Sequence, residues 1–376
     1  MAEGGYANWR ALELATKEAA KRRERDTGST APSVRLDAQI QQARFDRFLT
    51  RVFADGEQSG WMLKGGLSML ARVPAARRTK DVDLAADLAD LDEAREALSR
   101  AVDVDLGDHM TFRFTGEEEI GQGENQPGVL MRRFVFACID TSTGEGVERG
   151  TRVKVDVVVG PAPVGKPEVV EPASRLHLAR PLVTHPYRLY PTVDQIADKV
   201  CATMSTYGDS DRRSSRVKDL VDLVVLARTQ KVNLEELRVA IATKAALSQL
   251  TPFTQLQVPN DWAQSYPKEA RGVPGAGDLT PAEAEAYVAQ LVDPALAPVG
   301  SETAVWVPGA GWTAPEAVEA TEVAVAADVA AGGDVYVRHH IRGGWPVREH
   351  WRAARGTAVG QSTWPRTTQT SDKGAD

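Results

Sequence analysis

The stretch Arg152-Val153-Lys154-Val155-Asp156-Val157-Val158-Val159 limits most strongly what this chain can fold into. Five valines in eight residues favour a pleated strand, because two heavy atoms on Cβ stiffen the side chain and pack well on a pleated surface. An aspartate inside such an apolar run is costly unless an opposite charge or a metal ion joins it. Two readings of Asp156 stay open at this point: an ion pair with a nearby arginine, or one carboxylate of a cation site. Similar short runs lie at Trp61–Leu63, Val82–Ala85 and Val129–Ile139, with a helical pattern over Leu91–Ala101 between the second and third. Strands with a helix interposed imply an α/β sheet domain.

The flanking sequence is helical. Helices are expected over Tyr6–Arg25 and Leu36–Phe53, separated by the breaker Gly28–Ser33. After Pro191 the periodicity predicts three more, over Val193–Ser205, Val217–Thr229 and Leu234–Leu247. Gly116–Gly128, rich in Glu and Gly, reads as an exposed loop. Beyond Gly272 the text turns to Pro, Gly and Ala; within 301–376 a helix over Pro315–Ala331 is the only periodic segment, and disorder is expected from Gly356 on. The resulting division is an N-terminal helical extension over 1–35, an α/β domain over 36–185, a helical domain over 186–271 and a partly disordered extension over 272–376.

With 376 residues and a hydrophobic fraction of 42%, the chain can fill a real core. Cys138 and Cys201 are its only cysteines, which suggests neither a disulfide framework nor a zinc site and fits a reducing cytoplasm. No apolar run approaches bilayer-spanning length, and the charged stretch Lys21–Arg25 stands where a signal peptide would be apolar, so a soluble cytoplasmic protein without a membrane partner is expected. The formal net charge of −7 argues against a broad nucleic-acid-coating surface and leaves room for a local basic patch.

Chemistry concentrates in a few places. In Lys64-Gly65-Gly66-Leu67-Ser68, two glycines after a short strand let the backbone turn sharply and bring N–H groups toward an anion at the start of the next helix. Asp81 and Asp83, two apart in an extended segment, project from one face while Val82 and Leu84 point to the core. Parallel carboxylates repel unless a cation joins them, and magnesium binds through one or two carboxylates plus substrate phosphates. Asp156 is then a third carboxylate for the same ion or pair of ions. Lys199 can bury its stem along an apolar helix face and offer its ammonium to a triphosphate. Asp219, at a helix start where the dipole favours an acid, is placed to orient Lys199 or a substrate group.

Four blocks in this order resemble the AbiEii-type nucleotidyltransferases, the toxin half of type IV toxin–antitoxin pairs, including the MenT toxins. They are Lys64-Gly65-Gly66 with Arg78-Thr79-Lys80-Asp81-Val82-Asp83; Val155-Asp156; Ile196-Ala197-Asp198-Lys199; and Arg216-Val217-Lys218-Asp219-Leu220-Val221-Asp222-Leu223. Coverage runs from about Leu36 to Tyr266. The resemblance implies a polymerase-β-like nucleotidyltransferase sheet domain followed by a helical domain, Mg2+, an NTP substrate, and transfer to RNA, particularly the 3' end of tRNA, under control of a cognate antitoxin. It also implies roles: Asp81, Asp83 and Asp156 on metal; Lys64, Gly65, Gly66, Ser68, Arg78 and Lys199 on the nucleotide; and Asp219 completing the catalytic set. Arg72, Arg77, Lys80, Arg132, Arg133, Arg212, Arg213 and Arg216 are candidates for a basic lining that would grip RNA. A small-molecule acceptor such as an antibiotic, and a catalytically idle binding module, are the competing expectations.

Overall fold

The computed structural model describes residues 5–29, 31–118, 130–144, 146, 152–207, 212–297, 303–315, 334–337, 340–342, 345–347 and 350–353. The chain opens with α1 (Trp9–Thr27), capped by Asn8, and α2 (Leu36–Val52). Then come β1 (Trp61–Lys64), α3 (Gly65–Arg72), β2 (Val82–Ala86), α4 (Leu91–Val102), β3 (Met110–Glu118), β4 (Leu130–Asp140), β5 (Arg152–Val159), β6 (Glu168–Val170) and β7 (Tyr187–Leu189). The seven strands form one mixed sheet in the order β3-β4-β5-β2-β1-β7-β6. At its centre β2 runs parallel to β5 and antiparallel to β1.

Helices α2 and α4 cover one face of the sheet, and their apolar residues explain why. Phe48 on α2 is fully buried and meets Phe112 of β3 and Phe136 of β4 edge-on, at centroid distances of 5.1 and 5.4 Å. One turn away, Arg47 and Arg51 reach under the sheet to the fully buried Asp108, each at 2.7 Å, and Arg51 also donates to the Met110 carbonyl at 2.6 Å. Two guanidinium groups on one carboxylate tie the helix to the lead-in of β3 by charge as well as by packing.

The second half of the chain is helical: α5 (Thr192–Met204), α6 (Val217–Thr229), α7 (Leu234–Leu247), α8 (Trp262–Ala270) and α9 (Pro281–Leu296). Between them lie three two-residue strands: β8 (Thr206–Tyr207) pairs with β9 (Arg212–Arg213), and β10 (Val232–Asn233) joins β11 (Val305–Val307) and β12 (Gly311–Thr313) in a small sheet. Helix α6 is the hub, packing against α5, α8 and α9. Trp262 and Tyr266 of α8 are buried, with the Trp262 indole donating to the Ser214 carbonyl at 2.8 Å.

Met1–Pro315 and Ile341–Trp345 make up one unit; Glu316–His340 and Pro346–Asp376 make up another, in which β13 (Asp334–Val337) pairs with β16 (His350–Ala353). A further ribbon joins β14 (His340–Arg342) to β15 (Trp345–Val347). Among the described residues no helix is long and apolar enough to cross a membrane.

Helices expected before and after the sheet form within a few residues of their anticipated limits. Two segments differ. Gly116–Glu118, read as loop, belongs to β3, because Glu117 and Glu118 pair across with Phe134 and the basic Arg133 of β4; the rest of that segment, 119–128, lies outside the described residues. Pro281–Leu296, which looked like featureless Pro- and Ala-rich text, is a helix started by a Thr280–Glu283 capping box, and it buries Ala284, Val288, Leu291 and Val292. From residue 316 on, the helix expected over 315–331 falls outside the described residues, as does the segment from Gly356.

Burial alone would raise the Asp108 carboxyl, but Arg51 and Arg47 hold it below the ordinary carboxylate range. Its stabilising effect is therefore complete above the unfolded value near pH ~4 and is lost as pH falls through the lower folded value. Asp108→Ala, which leaves two buried guanidinium groups unpaired, is expected to lower the unfolding free energy by about 3–5 kcal/mol in urea titrations at pH 7.

Candidate active site

Register puts charge at one level across the sheet. Lys64 on β1 faces Asp83 on β2, Asp83 faces Asp156 on β5, Asp156 faces Arg133 on β4, and Arg133 faces Glu118 on β3. Residues opposite one another in a ladder share a face. All five side chains therefore rise on one side, while Val82, Leu84, Val155 and Val157 are buried on the other. Asp81 sits just before β2, where its Oδ1 accepts from the Thr79 hydroxyl at 3.0 Å.

Three carboxylates so close raise the energy of ionising the middle one. Enclosure, then the like charges of Asp81 and Asp156, push the Asp83 carboxyl up to about 7, with Arg77 and Lys199 opposing. Asp156 is held differently: Arg133 donates to both of its oxygens, Nε to Oδ1 and Nη2 to Oδ2, each at 2.6 Å, and Nη2 lies 3.8 Å from Asp81 Oδ2. Both sequence readings of Asp156 thus hold together: it pairs with an arginine and it belongs to the acidic group.

The two glycines make room for this arrangement. Gly65 has φ of +60°, and a Cβ there would stand 1.9 Å from Asp83 Oδ2. A Cβ on Gly66 would stand 2.7 Å from the Thr79 Cβ. The backbone can therefore start α3 directly beside the carboxylates, with the amide ends of the helix turned to the same space.

From the helical side comes a chain of alternating charges. Arg77 donates to Asp222 at 2.8 and 3.0 Å; Lys199 Nζ donates to Asp222 at 2.7 Å and to Asp219 at 2.9 Å; and Arg216 donates to Asp219 at 2.7 Å. Burial opposes the charge on Asp219, yet Lys199 and Arg216 hold it down to about 2. Burial likewise opposes the Lys199 ammonium, and Asp219 and Asp222 more than restore it. Nearer β1, Lys64 lies 2.9 Å from Asp198 and 4.3 Å over the Tyr190 ring, while Lys244 donates to the Tyr190 hydroxyl at 2.7 Å.

These groups line one cavity of 1090 Å3, which takes in Lys64, Gly65, Gly66, Asp81, Asp83, Asp156, Lys199 and Asp219. Two expected nucleotide contacts do not reach it. Ser68 is fully buried on the inner side of α3, donating to Gln195 at 3.1 Å and accepting from Arg72 at 2.7 Å. Arg78 turns back to Asp37 and Gln41 of α2. Its neighbour Arg77 faces the cavity instead. Of the basic candidates, Arg77, Arg133 and Arg216 line the cavity, whereas Arg72 and Arg132 are engaged by Glu168 and by Asp92 and Glu117, and Lys80 lies outside it. The side chains of Arg212 and Arg213 lie outside the described residues. Tyr190 and Lys244 had carried no sequence signal, because neither sits in a motif and only the packing of α7 on α5 brings Lys244 to Tyr190.

Among the described residues, no three His, Cys, Asp or Glu side chains are already gathered to hold a metal ion. The donor chemistry nonetheless suits a hard divalent cation such as magnesium: Asp81 and Asp83 offer carboxylate oxygens that line the cavity beside Asp156.

Residues 47–292 match the family described as "Nucleotidyl transferase AbiEii toxin, Type IV TA system". That span is more than half of the chain and contains the whole carboxylate row and the whole ion-pair chain. A nucleotidyltransferase is thus the class that the match defines. The chain belongs to the AbiEii family, the nucleotidyltransferase toxins of type IV toxin–antitoxin systems. Among solved structures it is similar to the MenT4 nucleotidyltransferase toxin of Mycobacterium tuberculosis, at 14% identity and a TM-score of 0.40 over 75% of this chain and 98% of that one. It is also similar to a putative nucleotidyltransferase of H. pylori, at 15% identity and a TM-score of 0.34 over 68% and 96%. A third is JHP933 of Helicobacter pylori, at 14% identity and a TM-score of 0.32 over 68% and 94%. No curated protein matches it.

A side chain at Gly65 meets both a left-handed backbone and the Asp83 carboxylate. Gly65→Ala is expected to destabilise the fold by about 1–2 kcal/mol in thermal or urea unfolding and to abolish NTP binding by calorimetry. A second expectation follows from Asp83. Its folded pKa is raised, so its contribution to stability is full below pH ~4 and is lost as pH rises through about 7. In EDTA the melting temperature should fall between those limits, and Asp83→Asn should flatten that dependence.

Proposed function

We propose that the chain transfers a nucleotide from an NTP to the 3' end of an RNA, with tRNA the preferred acceptor, and that it does so in the cytoplasm under the control of a cognate antitoxin. The observation that carries this reading is the facing pair Asp83 and Asp156 beside the glycine-opened start of α3, in a cavity large enough for a nucleotide and for the end of a second substrate. In this reading residues 36–185 supply the catalytic half and 186–271 the wall that closes over the triphosphate.

Asp81 and Asp83, with Asp156 as a third ligand, would hold Mg2+, which when bound neutralises phosphate charge and favours the departure of pyrophosphate. The chain's own groups do the positioning. Amides at the start of α3 face the phosphates, and the Gly65-Gly66 turn lets them approach. Arg77, Lys199 and Arg216 are fixed by Asp222 and Asp219, so they meet the phosphates without losing side-chain freedom at that moment. Asp156 is placed to accept the proton of an acceptor hydroxyl, which then attacks the α-phosphorus in line with the leaving pyrophosphate. The cavity lining balances acidic against basic side chains, so it suits a short terminal stretch of RNA better than a long duplex.

Incubation with labelled NTPs and either total tRNA or aminoglycosides separates the RNA reading from a small-molecule acceptor. Labelled tRNA is expected, and label on the aminoglycoside alone would overturn the acceptor. Asp81→Ala and Asp83→Asn are expected to reduce transfer by at least about 10²-fold without lowering the melting temperature of the Mg2+-free protein. Transfer at the wild-type rate in Asp81→Ala would remove the metal assignment.

A further inference from the structure

Arg133 has two anionic neighbours in one row of the sheet. On one side stands Asp156, whose two oxygens accept from it at 2.6 Å each. On the other stands Glu118, its cross-strand partner on β3. Glu118 is partly exposed and accepts from Lys154 at 2.6 Å, so the far side of the arginine is a solvent-reachable acid rather than a packed apolar wall. The guanidinium also lies 3.8 Å from Asp81, bringing one positive charge to two of the three carboxylates. With both oxygens of Asp156 engaged by a guanidinium, a metal ion or an acceptor proton there has to compete with that positive charge for the remaining lone pairs.

We propose that Arg133 is a built-in stand-in for the metal, holding Asp156 while the site is without a divalent cation and moving across the row to Glu118 when the cation arrives. This inference rests on the assignment of Asp81, Asp83 and Asp156 as the metal-binding group. Arg133 is a positioning residue in this scheme. Its guanidinium relieves repulsion among the carboxylates before substrate binds, and its displacement frees Asp156. Glu118 is the landing site, on the same face and one strand away, so the exchange needs rotation about side-chain bonds and no break in the sheet. Its consequence is that divalent cations compete with an internal cation, which weakens their binding until a triphosphate adds oxygens of its own.

Calorimetric titration of the full chain with Mg2+, in the absence of NTP, tests the exchange without reference to activity. Arg133→Gln removes the competitor and is expected to tighten Mg2+ binding by about tenfold, the equivalent of one hydrogen bond to a charged group. In EDTA the same variant should melt below the wild type, and saturating Mg2+ should close that gap. Glu118→Gln removes the landing site and is expected to weaken Mg2+ binding a few-fold with the fold intact. If Arg133→Gln does not fold, Arg133→Lys keeps the charge but loses the two-pronged contact, and a smaller tightening is expected. Binding no tighter in the Arg133 variants than in the wild type, where the wild type shows a site that Asp83→Asn abolishes, overturns the role of Arg133 and leaves the metal site standing. The absence of any Asp83-dependent Mg2+ site in wild type and variants alike, with or without NTP, overturns both.

Discussion

Two aspartates facing each other across neighbouring parallel strands repel, and the rest of the site answers that repulsion. Asp83 and Asp156 are directly opposite in the β2–β5 ladder, with Asp81 close by. Backbone hydrogen bonding fixes their separation, so the two cannot relax apart as surface acids would. The remedies are proton uptake, which Asp83 shows as a pKa near 7, and pairing with a cation, which Asp156 shows in Arg133. Such strain persists only where the surrounding fold over-determines it, and here a seven-stranded sheet with helices packed behind it does so. A divalent cation joined to phosphates would satisfy the same charges, which is the chemistry the proposed reading assigns to this end of the cavity.

Much of this was legible in the chain's text. The valine-rich strand around Asp156, the Asp-x-Asp of β2 and the glycine pair each follow from local chemistry, and the positions of Asp81, Asp83, Asp156, Lys199 and Asp219 on one cavity follow the order of their motifs. What escaped depends on register and helix phase. That Arg133 faces Asp156 is set by how β4 pairs with β5 across residues 141–151, and nothing in the sequence fixes that offset. Arg77 and Arg78 are neighbours of one type, yet the turn before β2 sends the first to Asp222 and the second to Asp37. Ser68 lies three positions after Gly65, which on α3 carries it to the buried side against Gln195. Helix α9 escaped because its buried face is built mostly from alanines and valines beside Leu291, small side chains that give a weak local signal and pack against α6 only once α6 is in place.

The ion-pair chain from Arg77 through Asp222, Lys199 and Asp219 to Arg216 is a different kind of structure from a stabilising salt bridge. Desolvating charges costs several kcal/mol per ion, and their mutual attraction only offsets this when geometry is close to ideal. An apolar packing of the same volume would hold α5 against α6 as well or better. What the charges add is fixed direction. Arg77 comes from the turn leading into β2, Lys199 from α5, and Asp219 with Asp222 from α6, so these pairs tie the start of the central strand β2 to two helices of the second half.

This bears on how a triphosphate meets Lys199. With two carboxylates on its ammonium, the lysine has one remaining hydrogen-bond direction, and its charge is largely spoken for before any ligand arrives. The whole chain, three cations and two anions, carries one net positive charge spread over its length. A triphosphate carrying several negative charges cannot be neutralised by that alone. The deficit falls on groups at the carboxylate end of the cavity, where Asp81, Asp83 and Asp156 make matters worse unless a cation enters with the nucleotide. In the proposed reading Lys199 is therefore the member that sets geometry, and the carboxylate row is the element that would make nucleotide binding depend on metal.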